Sequence, residues 1–386
     1  MLKKIFIASG GTGGHIIPAR TLAKFLQENN YNITLFGDKK INSYIKDDDN
    51  FKTIIIKATK FEKSLGALIS FFINFIFGFI KSIFFIIVQR PQFVLGFGGY
   101  ATFPMIFAAI ITRRKIIIHE QNAHLGKVNR IFAKYATAIA TSFAQTDGIK
   151  TEFLPKVVFT GNPVRQEIVS LFNQEYIIPN FPEDNLSNKF GYDVILNSEF
   201  YPKDDDENLF KILVIGGSGG AKIFSEILPK VFFNFNENLK EHIQITQQCR
   251  QELVESTFNE YKKYNINIIV DNFFEDMAKI ISESHLIIAR SGSSSISEFC
   301  CAKKPMILVP FAKSADDHQL KNAKILEENG AAIVIKESDF NIKNISEILS
   351  KLFDQHDILY KLSKNAEKFA ITDSSSRILT LINKKI

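Results

Sequence analysis

The chain has 386 residues and a formal net charge of +6. At roughly 100–200 residues per domain this length suggests two domains, and 46% hydrophobic against 23% charged residues excludes a disordered chain. Three cysteines, Cys249, Cys300 and Cys301, exclude a disulfide framework and a CxxC metal pair, and point to a reducing compartment.

The net charge hides an asymmetry. Residues 1–165 hold 22 Lys and Arg against 9 Asp and Glu, a net of +13, so the remainder is −7. A basic half joined to an acidic half suggests that only the first half meets an anionic partner. The basic residues are spread out, with no basic recognition helix and no interleaved aromatics, so nucleic acid is not expected.

In chain order, Ile5–Ala8 is a four-residue apolar run. It is too short for the apolar core of a signal sequence and reads as a buried strand. Glycines 10–14 follow, then a helix around Pro18–Asn29. Asn32–Phe36, Lys52–Ile56, Phe93–Gly96 and Lys115–His119 read as further strands. This βαβ alternation predicts a parallel sheet with helices on both faces. Lys4–Gly14 is echoed by Lys211–Gly220, again a buried strand ending in a glycine loop. Two tandem doubly wound α/β domains explain the echo. The second continues through strands Ile243–Thr246, Asn267–Val270, His285–Ala289, Met306–Val309 and Ala332–Ile335. The expected division is a first domain at 1–165, a linker or inserted loop at 166–208, a second domain at 209–362, and a C-terminal helix at 363–386 packing back on the first domain. The segment Gln174–Glu207 is rich in Asn, Asp, Glu, Pro and Phe and has no clean period.

Ser64–Ile80 runs 17 residues without a charge, and the apolar character continues to Val88. Gly66, Ser70, Asn74, Gly78 and Ser82 fall every four residues, one stripe of a helix that is apolar elsewhere. A spanning helix would put the flanking strands on opposite sides of a bilayer. One crossover helix, or two, is expected instead, with one face on the core and another on a membrane surface, to which Phe75 and Phe79 contribute if they face lipid; a wholly buried helix is the alternative. Lys60, Lys63, Lys81 and Arg90 flank it.

The chemistry-bearing residues sit after the strands. Gly10–Gly14 is neither a dinucleotide fingerprint nor a P-loop, and the second loop, Gly216–Lys222, also misses both. Gly96–Ala101 fits GxGxxA, a weak signal alone. Glycines between a strand and a helix expose backbone N–H groups at a positive helix end, which suits a phosphate; a tight packing turn is the alternative. His15 closes the first loop at the carboxyl end of the first strand, where ligands bind in open α/β sheets and an imidazole can act as a base. His119–Ala123 places consecutive polar groups at another strand end, as a binding site or as a local hydrogen-bond network. Arg290–Glu298 reads as a diphosphate cradle with Glu298 placed for ribose hydroxyls, or as an N-cap cluster with a capping-box glutamate. Asp316–Asn322 adds polar groups without metal-ligand spacing.

Together, Gly10–His15, Gly98–Tyr100 with Pro104, His119–Ala123, Gly161–Arg165, Gly216–Ala221, Ser291–Gly292 with Ser297–Glu298, and Asp317–Gln319 with Asn322–Ala323 occur in family order. On these motifs the chain resembles the MurG family. Those bacterial enzymes add N-acetylglucosamine to undecaprenyl-diphospho-N-acetylmuramoyl-pentapeptide (lipid I), making lipid II for peptidoglycan. The resemblance implies two Rossmann-like domains facing a cleft (the GT-B type) and inverting transfer from UDP-N-acetylglucosamine. It places Thr12, Gly13, Gly14, Asn122, Arg165, Ser218, Ser293, Ser294, Ser295, Ile296, Ser297, Glu298 and Gln319 in the donor site. It makes His15 the first choice of base and Glu120 the second. It implies no cofactor and no metal, so the Asp-x-Asp pattern at Asp47–Asp49 is read as a solvated acidic run. It implies partners in lipid I, an anionic phospholipid surface and other cell-wall synthesis proteins, at the cytoplasmic face of the bacterial cell membrane. The segment 174–207 is longer than the family leads one to expect. The alternatives on this fold are a UDP-N-acetylglucosamine 2-epimerase and a diacylglycerol glycosyltransferase. A non-catalytic nucleotide-sugar-binding or membrane scaffold is the alternative outside enzymes.

Overall fold

A computed structural model describes residues 3–45, 49–58, 65–179, 209–217 and 220–385. The expected donor-site residue Ser218, Asp47 and Asp48, and residues 180–208 of the expected insert lie outside the described residues.

The chain divides into two compact units. The first comprises Met1–Gln166, Gly292–Glu298 and Ile371–Ile386. Its sheet has seven strands: β1 (Lys3–Ala8), β2 (Tyr31–Gly37), β3 (Lys52–Ile55), β4 (Phe93–Gly96), β5 (Lys115–Glu120), β6 (Ala138–Thr141) and β7 (Val157–Phe159). They lie in the order β3-β2-β1-β4-β5-β6-β7, all parallel. The order reverses between β1 and β4, so the loops after these two strands diverge and leave a crevice at their carboxyl ends.

Side chains alternate across the sheet with period two. Ile5 and Ile7 face one core, with Ile16, Leu22 and Leu26 of the helix Gly13–Glu28 and Ile378, Leu381 and Ile382 of the C-terminal helix Ser374–Lys385. Phe6 and Ala8 face the other, with Ile86 of the helix Leu65–Gln89 and Met105, Ile106 and Ala109 of the helix Phe103–Ile111. Tyr31 Oη donates to Asn383 Oδ1 at 2.7 Å, a further tie of the last helix to this unit.

The helix Leu65–Gln89 has 25 residues, and its part Ile69–Gln89 is long and apolar enough to cross a membrane. It joins two strands of one sheet and packs one face on that sheet. Gly78 and Ser82 are buried, and the Ser82 hydroxyl donates back to Gly78 O at 2.7 Å. Along this length the small-residue stripe is therefore the side that meets the protein. Ile69, Phe72, Ile73, Ile76, Phe77, Ile80, Phe84, Ile87 and Val88 are exposed. Phe75 and Phe79 correct the expectation. Their rings pack on Phe107 at 5.8 and 5.3 Å, and Phe75 also meets Phe103 at 5.5 Å, so neither belongs to the free apolar face.

The second unit comprises Glu167–Ser291 and Phe299–Ala370. Its strands are β8 (Phe210–Ile215), β9 (Ile243–Gln248), β10 (Asn267–Asp271), β11 (Leu286–Ala289), β12 (Met306–Leu308) and β13 (Ile333–Val334). They are parallel in the order β10-β9-β8-β11-β12-β13, the same winding again. Phe210, Ile212 and Val214 pack against Phe224, Leu228 and Phe353. Part of the expected linker belongs to this unit. Tyr176 and Ile178 pack on its core, and Tyr176 Oη donates to His285 O at 2.7 Å.

Candidate active site

The helix after β1 begins at Gly13, not near Pro18, so His15 stands in its first turn. Pro18, the sixth residue of this helix, brings no N–H to the Gly14 carbonyl, which accepts from Ser294 Oγ at 3.0 Å instead. His15 N and Ile16 N both donate to Thr12 O at 3.1 Å, closing the turn. Thr12 is the N-cap without a side-chain cap bond and, like Gly14, is exposed, while Gly13 is buried.

Asp38, just beyond β2, holds the glycine loop from beneath. Its Oδ2 accepts from Gly11 N at 3.0 Å and from Tyr100 Oη at 2.7 Å, and its Oδ1 accepts from Lys40 N at 3.1 Å. Burial, with the Asp38 hydrogen bond and charge, pushes the Tyr100 hydroxyl up to about 12. The turn after β4 carries Gly98 and Gly99 at φ +79°, which suits residues without a Cβ. A Cβ on Gly99 would also collide with the Gly10 carbonyl oxygen, and a Cβ on either would touch the His15 ring at 3.4 Å.

The strand β5 delivers His119 and Glu120, then Gln121 and Asn122. Glu120 is 1% exposed. Its Oε1 accepts from Asn122 N at 3.0 Å and Asn122 Nδ2 at 3.2 Å. Its Oε2 accepts from Gly126 N and Asn129 Nδ2, both at 2.8 Å. Four donors on two oxygens make this carboxylate a clamp for its own loop. His119 is 2% exposed and stacks on Phe97 with ring centroids 4.8 Å apart. Burial chiefly, with a contribution from the nearby His15, lowers its pKa to about 4 against the bond to Gly161 O. His15 Nδ1 meets Gln121 Oε1 at 2.8 Å, and Gln121 Nε2 meets His119 Nδ1 at 3.0 Å.

After β7, Gly161–Arg165 meets the start of the helix Ser293–Cys301 within the first unit. Arg165 Nε and Nη2 donate to Glu298 Oε1 and Oε2 at 2.8 and 2.9 Å. Ser294 Oγ donates to Gly14 O at 3.0 Å. Ser295 is half-buried, and Ser293 is buried. Ile296 is 2% exposed, and Ser297 Oγ donates to Ser293 O at 2.9 Å. Ile296 and Ser297 therefore offer a ligand little beyond their backbone.

In the second unit, Gln319 Oε1 accepts from Phe311 N at 2.9 Å, and its carbonyl accepts from Ser291 Oγ at 2.8 Å. Asn322 Nδ2 donates to Ser291 O at 3.1 Å, tying the helix His318–Glu328 to the turn after β11. Arg290 pairs with Glu337 at 2.8 Å. Burial acts to raise the Glu337 pKa, but the bonds from Arg290 and Ala312 N and the charges of Arg290 and Lys313 bring it below the usual carboxylate value. Gly217 and Gly220 line a small hollow of about 270 Å³ with Gln248, Arg250 and Asn272.

Two further outcomes differ from the sequence reading. Asp49 is not solvated: its side chain is fully buried and bridged by the Arg20 guanidinium. The site also takes in Gln121 and Tyr100, which lie inside motifs that assign them no role of their own, and Asp38, which lies outside every motif. Asp38 and Gln121 each follow a strand's carboxyl end, and that position is the signal that could have found them. Among the described residues no three His, Cys, Asp or Glu side chains are grouped to hold a metal ion.

Two parallel sheets with glycine turns at their carboxyl ends define the two-domain α/β fold, and the family matches make its class a glycosyltransferase. Residues 5–141 match the glycosyltransferase family 28 N-terminal domain, and residues 211–378 match the family 28 C-terminal domain. The chain belongs to this family. It is 33% identical, over 98% of both chains, to the UDP-N-acetylglucosamine–N-acetylmuramyl-(pentapeptide) pyrophosphoryl-undecaprenol N-acetylglucosamine transferase of Wolbachia pipientis wMel. The enzyme of that name from Rickettsia bellii is 34% identical over 95% of each chain. Among solved structures, MurG of Acinetobacter baumannii superposes with a TM-score of 0.72 at 25% identity, over 99% of both chains. A UDP-GlcNAc 2-epimerase from Neisseria meningitidis shares the fold, with a TM-score of 0.65 at 14% identity.

Proposed function

We propose that the protein transfers N-acetylglucosamine from UDP-N-acetylglucosamine to undecaprenyl-diphospho-N-acetylmuramoyl-pentapeptide, forming lipid II for peptidoglycan. The observation that carries this reading is the near full-length match to transferases of that name. In the reaction His15 takes the proton of the muramoyl 4-hydroxyl as its oxygen attacks C1 of the donor sugar. The bond from C1 to the diphosphate breaks, UDP leaves with the electron pair, and C1 inverts to a β-1,4 linkage. Two facts support His15 as the base. Its ring is half-buried in a first helical turn with Nδ1 engaged and, among the described residues, no partner at Nε2. Glu120, by contrast, has its acceptor positions filled.

Thr12, Gly14, Asn122, Ser294, Ser295 and Gln319 are among the residues proposed to meet the donor through accessible side-chain or backbone groups, with Glu298, oriented by Arg165, proposed for the ribose hydroxyls. Backbone N–H groups at the helix starts Gly13 and Ser293 are suited to the growing diphosphate charge. The exposed face of the helix Leu65–Gln89 supports peripheral docking on an anionic membrane surface, where the lipid acceptor resides.

The test is transfer of radiolabelled N-acetylglucosamine from its UDP donor to lipid I. Labelled lipid II is expected. Epimerisation of the donor sugar, or transfer to diacylglycerol but not to lipid I, would replace the reading. His15→Ala should lower kcat by about 10²–10⁴ while donor binding survives.

A further inference from the structure

The site contains an ordered chain of hydrogen bonds that the transfer reading by itself does not use. We propose that Gln121 and His119 are positioning residues. With the carbonyl of Gly161 they hold His15 as its Nδ1–H tautomer and leave Nε2 bare to receive the acceptor's proton. The proposal rests on His15 as the base.

The polarity of the chain follows from its ends. His119 Nε2 lies 3.1 Å from Gly161 O. A carbonyl oxygen only accepts, so Nε2 carries the proton. The ring is buried and its pKa is lowered to about 4, so it is neutral, and its Nδ1 is therefore an acceptor. The Gln121 group facing that nitrogen at 3.0 Å must then be the amide NH₂. A second carbonyl supports this orientation independently, because Gln121 Nε2 also lies 3.2 Å from His119 O. Turning the amide over would set Oε1 against two acceptors at once. Oε1 therefore faces His15 Nδ1 at 2.8 Å, and that nitrogen must donate.

The other groups around the chain keep this arrangement. Asn129 Nδ2 donates to His119 O at 3.1 Å and to Glu120 Oε2, fixing the strand end that bears both relay residues. Phe97 stacks on the His119 ring and restricts its rotation. The chain joins residues at the carboxyl ends of β1, β5 and β7, so it forms only once the sheet has assembled. A neutral imidazole has one bare nitrogen, and a base works only if that nitrogen points at the proton.

The tautomer can be read directly. The full-length chain labelled with ¹⁵N-histidine contains seven histidines, and His15→Ala identifies the His15 signals in long-range ¹H–¹⁵N spectra. At a pH where the imidazole is neutral, His15 Nδ1 should resonate as a protonated nitrogen and Nε2 as a bare one. Gln121→Leu should populate the other tautomer and lower kcat about tenfold or more, with donor KM nearly unchanged. Gln121→Glu keeps an acceptor toward His15 and should restore the Nδ1–H tautomer and part of kcat. Nε2–H as the main wild-type form overturns the proposal, and that measurement needs no variant to fold. Gln121→Leu with wild-type tautomer and kcat also overturns it. If the tautomer shifts but kcat is indifferent to both Gln121→Leu and His15→Ala, the proposal fails as a statement about catalysis. The fault then lies in the choice of base rather than in the geometry.

Discussion

Arg165 and Glu298, 133 residues apart, form a two-pronged ion pair, with Nε and Nη2 each donating to a different carboxylate oxygen at 2.8 and 2.9 Å. The glutamate is 9% exposed. A carboxylate expected to await ribose hydroxyls is therefore already oriented by a guanidinium. Parallel N–H···O bonds fix its plane, which a single bond would not do. The loop after β7 and the helix start at Ser293 are thereby joined within one unit.

This pair predicts coupled variants. Glu298→Ala should raise donor KM about 10- to 150-fold, the equivalent of roughly 1.5–3 kcal/mol for a charged hydrogen bond. It also leaves Arg165 without this partner, so Arg165→Ala should lose less in the Glu298→Ala background than in the wild type. Donor KM and urea midpoints of the four proteins of the cycle test this. Strict additivity would mean that the contact carries no energy.

Glu120 should behave as a loop clamp. In Glu120→Gln the amide NH₂ must face a donor on one side, either Asn122 or the Gly126–Asn129 pair. The cost should be about 1–3 kcal/mol of stability. Lowered kcat in this variant should accompany a lowered denaturation midpoint. A fully stable Glu120→Gln protein with kcat collapsed, alongside a near-normal His15→Ala, would reverse the two roles.

His119 gives the first unit an acid sensitivity. Its folded pKa is about 4, chiefly through burial, against the ordinary value of 6.5. Between those values the unfolded chain binds the proton and the folded one does not, so stability rises with pH. It is fully present above pH 6.5 and is lost as pH falls toward 4, at about 1.4 kcal/mol per pH unit. Denaturation midpoints measured across this window should fall with acidity, and His119→Gln should flatten that slope. An equally steep slope in the variant would assign it to other groups.

The apolar helix separates two kinds of phenylalanine. Phe72, Phe77 and Phe84 are 53–59% exposed. Replacing one with Ser should weaken sedimentation with anionic vesicles several-fold, each losing about 1 kcal/mol of apolar contact, and leave the melting temperature nearly unchanged. Phe75→Ser and Phe79→Ser should instead lower stability, because their rings pack on Phe107. Salt should weaken vesicle binding by the wild type. Binding that ignores both lipid charge and the three exposed rings would remove this face from the membrane contact.

The sequence by itself determined the two parallel sheets and the location of the glycine turns. Parallel strands buried on both faces must be short apolar runs, and a backbone turning tightly between strand and helix selects glycine. Ile5–Ala8, Phe93–Gly96 and Lys115–His119 carry that signal plainly. β6 and β7 do not: Ala138–Thr141 is half alanine, and Val157–Phe159 is a three-residue edge strand. Only the tertiary structure decided the partners. His15 reaches Gln121 across 106 residues and His119 reaches Gly161 across 42. It likewise turned the small-residue stripe of the helix Leu65–Gln89 inward at Gly78 and Ser82, and buried Asp49 under Arg20. Periodicity reports the conformation of neighbours along the chain. Which strand ends meet depends on the order β3-β2-β1-β4-β5-β6-β7, which forms only when the helices close over both faces of the sheet.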